Sequence, residues 1–310
     1  MADKKTADKK RFNYGGQAVI EGVMIRGRTS VVTAMRRPTG EIALEVKPAV
    51  AAHKSWARRT PIIRGVVILI EAMVLGIKSL LFSANVAMEE EGEKIPTKAI
   101  WGMMLVSVVV AVGLFFIAPL FLTKLVNNYL PNTFLFALIE GLIRVAIFVG
   151  YLWVVGRMED IQRVFTYHGA EHKAVNAFES GAALEPESIK KYSRAHVRCG
   201  TSFLFFVLFI AIIVFSLAGR QALWIMMITR VVLLPVIMGL GYELIYFGAK
   251  HTGNWFMKII LAPGLWLQSM TTGEPDLKQC EVSIAALKKA IEMDKEADAA
   301  DEASAAAKAA

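Results

Sequence analysis

The segment HGAEH at residues 168–172 contains two histidines four positions apart, with a glutamate beside the second. Side chains at positions i and i+4 lie on one face of a helix, so His168 and His172 could bind the same ion. The order His-x-x-Glu-His is also the signature of the inverted zincins. The pattern therefore indicates either a metal site, in which Glu171 would activate a water as general base, or two ordinary packing residues on a helix.

Further groups with ligand chemistry occur in the same stretch of chain. His196 and Cys199 are three positions apart in HVRCG, and Glu179 continues the helix face of the two histidines. Imidazole and thiolate are favoured zinc ligands, and a catalytic zinc site takes three protein ligands plus water. The cofactor that fits these residues is Zn²⁺. Its candidate ligands are His168, His172, His196, Cys199, Glu179 and the more distant Glu243, and the sequence does not choose the third ligand.

The elements that must position these residues are those of a membrane protein. The chain has 310 residues, of which 55% are hydrophobic and 14 are Met, which is too apolar for a typical soluble domain of this size. Four segments are long enough to cross about 30 Å of hydrocarbon. They lie in two hairpins, residues 99–155 and 201–247, and predict an all-α membrane core that is a polytopic four-helix transmembrane bundle.

The basic residues predict the orientation of this bundle. The long middle loop, residues 156–200, holds seven Lys/Arg, whereas the short links within the hairpins carry only Lys124 and Arg220. Because positive charges favour the cytosolic side, the N-terminus, the middle loop and the C-terminus are expected in the cytosol of a multi-pass cell-membrane protein. Cys199 and Cys280 would then both remain reduced thiols.

The rest of the chain divides by composition. Residues 1–14 read as a disordered basic tail, and residues 15–60 as a small β-rich cytosolic unit in which Ile42, Leu44 and Val46 alternate with polar positions. Residues 61–88 are long enough to span a membrane. A crossing there would place the basic N-terminus outside, so an amphipathic or re-entrant helix is favoured. Residues 248–291 are predicted to be an interfacial and cytosolic segment, and residues 292–310 a disordered tail.

Two other groups of polar residues call for an interpretation. Residues 1–64 hold 14 Lys/Arg against 5 Asp/Glu, which favours contact with anionic lipid of the bilayer rather than nucleic acid, since interleaved aromatic residues are lacking. Within the spans, Glu140, Arg144 and Arg230 predict a polar network. Either it fixes helix packing or it serves function; we favour packing.

The glycine-rich stretch GGQAVIEGVMIRG at residues 15–27 has neither the ending nor the spacing of a phosphate-binding loop. Tight turns and close backbone approach explain its glycines more simply. Its polar side chains, among them Glu21 and Arg26, are candidates for contacts with the middle loop.

Four ordered motifs resemble the bacterial YqhQ family, a membrane family of unknown function whose members are labelled as metal-dependent enzymes. The motifs are GGQAVIEGVMIRG, YHGAEHKAVNAFE, HVRCGTSF and PGLWLQSMTTGEPDLKQCEVSIAAL, and together they cover most of residues 14–287. The resemblance implies a metal site at His168, Glu171, His172, Glu179, His196 and Cys199, and assigns Gly16, Glu21 and Arg26 to the N-terminal motif. The third motif departs from the family at Val197, where the familiar form has Pro, so the backbone at His196 is less fixed.

Three functions remain open at this point. The first is a zinc-dependent hydrolase at the cytosolic membrane face that acts on a lipid-linked or membrane-protein substrate. The second is a non-enzymatic scaffold or assembly factor with structural zinc or no metal. A transporter that uses the intramembrane charges and Glu243 ranks last, because two close pairs of spans leave little room for a pathway. The sequence does not indicate an oligomeric state.

Overall fold

The computed structural model describes residues 12–49, 56–88, 96–251 and 253–309, and its first element is a four-stranded antiparallel sheet. The strands are β1 (Gly15–Val19), β2 (Gly22–Arg26), β3 (Ser30–Arg36) and β4 (Ile42–Pro48), in the order β1-β2-β3-β4. Val19 pairs with Gly22 across the first turn, where Glu21 has a φ of 53°. The turn before β4 has the sequence Pro38-Thr39-Gly40, which is typical of a turn, and its Gly40 has a φ of 93°.

Ten helices follow in the described part of the chain. They are α1 (Ile63–Ala87), α2 (Thr97–Val112), α3 (Ala118–Leu125), α4 (Thr133–Val155), α5 (Glu159–Glu179), α6 (Pro186–Ile189), α7 (Gly200–Ala218), α8 (Leu223–Lys250), α9 (Trp255–Ser269) and α10 (Leu277–Ala309). A π-helical turn, Gly113–Ile117, joins α2 to α3. The mostly helical fold with a small N-terminal sheet is thus confirmed.

Five described helices are long and apolar enough to cross a membrane. Four of them, Trp101–Leu125, Thr133–Val155, Gly200–Ala218 and Leu223–Lys250, coincide with the predicted spans. The fifth is Ile63–Ala87, the helix for which the charge distribution favoured an interfacial or re-entrant position. Length and composition therefore leave five candidates, and contacts must distinguish among them.

Helix α1 packs on the sheet along its second half. Gly76 touches Gln17, where an added Cβ would come within 2.5 Å of the amide oxygen. Thr33 Oγ1 donates to Ser79 Oγ at 3.0 Å, and the backbone N–H of Ile20 donates to Ser83 Oγ at 3.2 Å. The C-terminal half of α1 is therefore a support for the sheet.

The sheet, α5 and α10 share one hydrophobic core. Val23 and Ile25 of the sheet, Ala174 and Val175 of α5, and Leu287 of α10 are all fully buried in it. The N-terminal unit, the middle loop and the C-terminal helix therefore meet in one subdomain. The sequence predicts that all three lie on the same side of the membrane. The small sheet obtains from α5 and α10 the core that it could not form alone.

The C-terminal helix corrects the prediction of a disordered tail at residues 292–310, because α10 continues to Ala309. Its Asp294 accepts hydrogen bonds from Tyr14 Oη at 2.9 Å, from the N–H of Arg28 at 2.9 Å and from Thr29. An Ala-, Glu- and Lys-rich sequence favours helix, and these contacts hold it to the β2–β3 turn. Residues 1–11 of the predicted N-terminal tail lie outside the described residues, whereas Tyr14 is buried.

Candidate metal centre

The HGAEH segment lies in the middle of α5, as its spacing predicts. Gly169 allows this helix to cross the chain at Gly273, since a Cβ on Gly169 would lie 2.0 Å from the Gly273 carbonyl oxygen. The N–H of Gly273 donates to the carbonyl oxygen of Phe165 at 2.7 Å. This crossing carries the segment after α9 directly over the two histidines.

Both histidines use Nδ1 for a backbone carbonyl. His168 Nδ1 lies 2.8 Å from the oxygen of Thr271, and His172 Nδ1 contacts the oxygen of Arg194. A carbonyl oxygen can only accept, so each Nδ1 carries the proton and donates it. Each Nε2 is thereby left as the nitrogen that can bind an ion, and the two rings lie 4.4 Å apart between centroids.

Cys199 completes a group of three ligand atoms. Its Sγ lies 3.3 Å from His168 Nε2, and one ligand atom from each of His168, His172 and Cys199 falls within 4.8 Å of the others. Burial opposes ionisation of the thiol, but the two imidazoles lower the pKa of Cys199 well below its ordinary value. Burial likewise opposes charge on His172, yet Cys199 and Glu171 raise its pKa to about 9. The thiolate, which is the metal-binding form of cysteine, is thus favoured.

Three long side chains hold the loop that delivers Cys199. Lys173 is buried and its Nζ donates to the carbonyl oxygens of Lys190 at 2.6 Å and Tyr192 at 2.9 Å. Asn176 Nδ2 donates to two further carbonyl oxygens of the same loop. Gln268 on α9 binds the backbone of His196 on both sides, at 2.8 and 3.0 Å. The loop is therefore fixed by α5 and α9 before it enters α7.

Three of the predicted ligands do not join this group. Glu179 forms an ion pair with Arg198 and lies 3.7 Å from His196 Nε2, so these residues face each other beside the cluster. The ring of His196 is 5.6 Å from that of His172, the next ring to it. Glu243 binds Arg64, with one bond of 2.7 Å, and accepts from the N–H of Ile62. Glu243, one of the candidates for the third ligand, is therefore paired away from this group, because both its carboxylate oxygens bind Arg64.

Glu171, the predicted general base, is buried at the cluster. Its Oε2 lies 3.4 Å from His172 Nε2, and the side chain is 4% exposed. The carboxylate therefore faces the same nitrogen that would bind an ion. This position is compatible with proton transfer at that ion.

The N-terminal motif positions α5 rather than the metal group itself. Glu21 binds Arg163 of α5, with one bond of 2.7 Å, and accepts from Tyr167 Oη at 3.3 Å. Gly16 lies in β1 where a Cβ would collide with the Met24 carbonyl oxygen at 1.7 Å, so it is a packing residue. The expected contact with the middle loop is made by Glu21. Arg26 contacts Glu71 of α1 instead, at 3.4 Å.

The intramembrane residues form the predicted network. Glu140 accepts from Arg144 at 2.6 Å and from Arg230, with one bond of 2.9 Å. Arg144 also donates to the carbonyl oxygen of Phe115 at 2.9 Å, in the π-helical turn. All three side chains are buried between α4, α7 and α8, and they satisfy one another.

A cavity of about 1000 Å³ adjoins two of the three ligand residues. Its wall includes His168 and Cys199, strand β1, the first half of α1, the start of α7 and the end of α8. One side of the candidate site is therefore open to a large ligand. No pattern in the sequence indicates this cavity, because it is bounded by elements that are distant in the chain.

Three residues that orient the cluster were not predicted from the sequence. The carbonyl oxygens of Thr271 and Arg194 bind the two histidines, and the side chain of Gln268 binds the backbone of His196. Thr271 directly follows the Met270 C-cap of α9, where carbonyl oxygens lack intrahelical partners and are available as acceptors. This position after the end of α9, within the fourth motif, was the one sequence feature that could have indicated Thr271 as an acceptor. A carbonyl acceptor leaves no other mark in the sequence, because every residue has one.

Comparisons with known proteins are consistent with the motifs. Residues 60–293 match the family described as "Protein of unknown function (DUF1385)". The chain is 34% identical over 285 residues to "Uncharacterized protein YqhQ" of Bacillus subtilis (strain 168), covering 87% of this chain and 90% of the relative. No solved structure matches. The chain therefore belongs to the YqhQ family.

Proposed function

We propose that His168, His172 and Cys199 hold a single zinc ion. The observation that carries the proposal is the pair of Nδ1–H bonds to the carbonyl oxygens of Thr271 and Arg194, which leaves both Nε2 atoms beside the Cys199 sulfur. Metal-binding histidines almost always make such a bond. In tetrahedral zinc sites, ligand atoms lie roughly 3.3–3.6 Å apart, and the 3.3 Å from His168 Nε2 to Cys199 Sγ falls in this range.

The same arrangement supports a hydrolase better than a scaffold. A structural zinc site is closed by four protein ligands, whereas the described group has three, and two of them line the cavity. Zinc would supply Lewis acidity and an acidified water when bound. Glu171, facing His172 at 3.4 Å, is the residue placed to accept a proton there.

The site is proposed to face the cytosol at the membrane surface. The sheet, α5 and α10 pack together, so the four predicted spans must pair as hairpins that return to one side. Because α1 binds the sheet through Gly76, Ser79 and Ser83, that half of it cannot cross the hydrocarbon core. Four spans together with the charge bias support a cytosolic position for the N-terminus, the middle loop and the C-terminus.

Elemental analysis of the purified full-length protein tests the metal. We expect about one zinc per chain, and its loss in His168→Ala, His172→Ala and Cys199→Ala. His251→Ala and Cys280→Ala are matched controls, because neither residue belongs to the group, and both should retain the ion. Wild-type protein that binds no zinc after incubation with the metal would contradict the proposal.

A second experiment separates catalysis from scaffolding. Glu171→Gln removes the base but keeps the size of the side chain, so it should retain zinc and fail to complement a deletion of the gene. Full complementation by this variant, with zinc bound, would favour a non-enzymatic scaffold with a structural ion.

One observation favours a different chemistry for the same residues. Cys199 is the N-cap of α7, and its sulfur faces the His168 imidazole at 3.3 Å, an arrangement that also suits a cysteine nucleophile with a histidine base. Iodoacetamide distinguishes the two. A nucleophile is alkylated whether or not zinc is added, whereas a zinc ligand is protected by the metal and exposed by a chelator.

A further inference from the structure

The cavity beside the candidate metal centre has an apolar wall formed by helices that face the bilayer. Its apolar side chains come from α1, α7 and α8, and include Ile68, Leu69, Met73, Phe203, Leu204 and Ile245. Some of the same surface is exposed at the outside of the protein, where Met73 is 59% and Leu204 is 44% exposed. The wall is therefore continuous with the apolar surface of helices long enough to span a membrane.

The cavity wall also carries three basic residues, Arg26, Arg198 and Lys250, and this wall, all of it in the described part of the chain, contains neither Asp nor Glu. Arg26 and Arg198 also pair with Glu71 and Glu179, which lie outside the wall. Arg198 belongs to the loop that delivers Cys199, so this positive region lies beside the ligand group. Lys250 is at the end of α8, with its Nζ 4.0 Å from the centre of the Tyr246 ring.

We propose that this cavity binds one phosphate-bearing anionic membrane lipid, with its acyl chain along α1 and α7 and its phosphate at Arg26, Arg198 and Lys250. Charge complementarity selects an anion, and guanidinium groups match phosphate oxygens well. The apolar wall would be unused by a free phosphate or a nucleotide. This inference rests on the proposed function, for which it names the substrate class: a lipid whose headgroup lies next to His168 and Cys199.

Native mass spectrometry of the full-length protein tests the lipid. The protein, in detergent micelles, receives equal amounts of dioleoylphosphatidylglycerol and dioleoylphosphatidylcholine, which share acyl chains and differ in net charge. We expect the one-lipid adduct to be enriched in phosphatidylglycerol. Equal retention of the two lipids by the wild-type protein would overturn the proposal, as would displacement of the adduct by soluble glycerol phosphate.

Two variants locate the binding site. Ala72→Trp fills the cavity from α1 and should abolish the adduct, whereas Val110→Trp, on the exposed surface of α2, should not. Lys250→Gln should lower the preference for phosphatidylglycerol about fivefold, the effect of one cation near a membrane surface. Its control is Lys258→Gln, which lies outside the cavity lining. An unchanged preference in both Ala72→Trp and Lys250→Gln would place the lipid elsewhere.

Zinc content is measured on the same samples, so the two proposals can fail separately. His172→Ala should lose zinc and still retain phosphatidylglycerol, because His172 lies outside the cavity lining and the cationic residues remain. Zinc bound without lipid preference would overturn only the lipid proposal. Lipid preference in a protein that never binds zinc would overturn only the metal centre.

Discussion

Two buried polar groups in this molecule differ in how their hydrogen bonds are used. In the bundle, Glu140 binds both Arg144 and Arg230, and the remaining donors reach nearby carbonyl oxygens. In the middle of α5, His168 and His172 each satisfy only Nδ1 through the backbone and turn Nε2 toward a sulfur atom. The first group is closed on itself, whereas the second has ligand atoms that converge.

This difference separates a structural network from a binding site. A closed ionic group fixes the packing of helices, and its removal should affect folding alone. A convergent group is held from outside by α9 and the Cys199 loop, and changes in those supports should affect ligand affinity more than stability. The variants below test this distinction, beginning with the largest expected effect.

Replacement of Glu140 by Leu should break the closed group. It leaves two buried arginine side chains without their carboxylate, which costs about 3–5 kcal/mol in comparable buried pairs. Thermal unfolding in detergent should show this loss, while the folded fraction still binds zinc. Arg157→Gln is the control, because Arg157 lies just beyond the end of α4 and stacks on Trp153. A Glu140→Leu protein of normal stability would show that the network does not support packing.

Replacement of Gly169 by Ala should open the convergent group. The added Cβ would lie 2.0 Å from the Gly273 carbonyl oxygen and push away the segment that binds His168. We expect zinc affinity to fall about 10- to 100-fold, the effect of losing a supporting partner. Gly150→Ala, where a Cβ meets nothing within 4 Å, is the control for titration with a zinc indicator. Equal affinities in the two variants would contradict the role of the crossing.

Replacement of Gln268 by Leu tests a more remote support. It leaves the backbone N–H and carbonyl of His196 without their side-chain partner, at a cost of about 1–3 kcal/mol for a buried group. The Cys199 loop should loosen, and zinc affinity should fall about tenfold, less than in Gly169→Ala. Gln221→Leu, in an exposed turn, should have no effect on zinc titration. A drop larger than that of Gly169→Ala would reverse the proposed order of supports.

Asp294 provides a closed polar group that can be titrated away from the metal centre. Burial raises the pKa of its carboxyl. Hydrogen bonds lower this pKa by more than burial raises it, so the pKa is below its ordinary value; the donors are the N–H groups of Arg28 and Thr29, the Thr29 hydroxyl and Tyr14. Its contribution to stability is thus present above the unfolded pKa of about 3.9 and is lost as pH falls through that range toward the folded pKa. Asp294→Asn should flatten this part of the unfolding profile in acid. An unchanged acid profile would mean that the carboxylate does not hold α10.

Local periodicity and charge predicted much of the fold. The alternation before Pro48 predicted strand β4, the apolar segments predicted helices long enough to span a membrane, and the spacing of HGAEH predicted a helix; all of these elements are present, because each pattern depends on neighbouring residues. The alternation did not predict which side of β4 is covered, since Leu44 and Val46 are exposed. The tail at residues 292–310 was predicted wrongly, because its composition suits both disorder and helix. Only the contact of Asp294 with a turn about 265 residues away distinguishes them.

The candidate site was predicted less completely for the same reason. His168, His172 and Cys199 were among the candidates, since ligand chemistry is visible in residue type. The choice of Cys199 over Glu179 and Glu243 could not be predicted, because it depends on which glutamate is paired with an arginine in the fold. Arg64 and Arg198 bind the two glutamates, and a separation such as the 179 residues between Arg64 and Glu243 carries no pattern in one sequence.

The clamp at Asp294 has a consequence for biosynthesis. The sheet is among the first segments to leave the ribosome, but Tyr14 and Asp294 are separated by 280 residues. Its core is therefore completed only when α10 has been synthesised, after the apolar helices that precede it in the chain. Until then the face of β2 and β3 that packs on α10 stays uncovered, whereas α1 can already cover the other face. A chain shortened before α10 would leave the ribosome with that face of the sheet exposed.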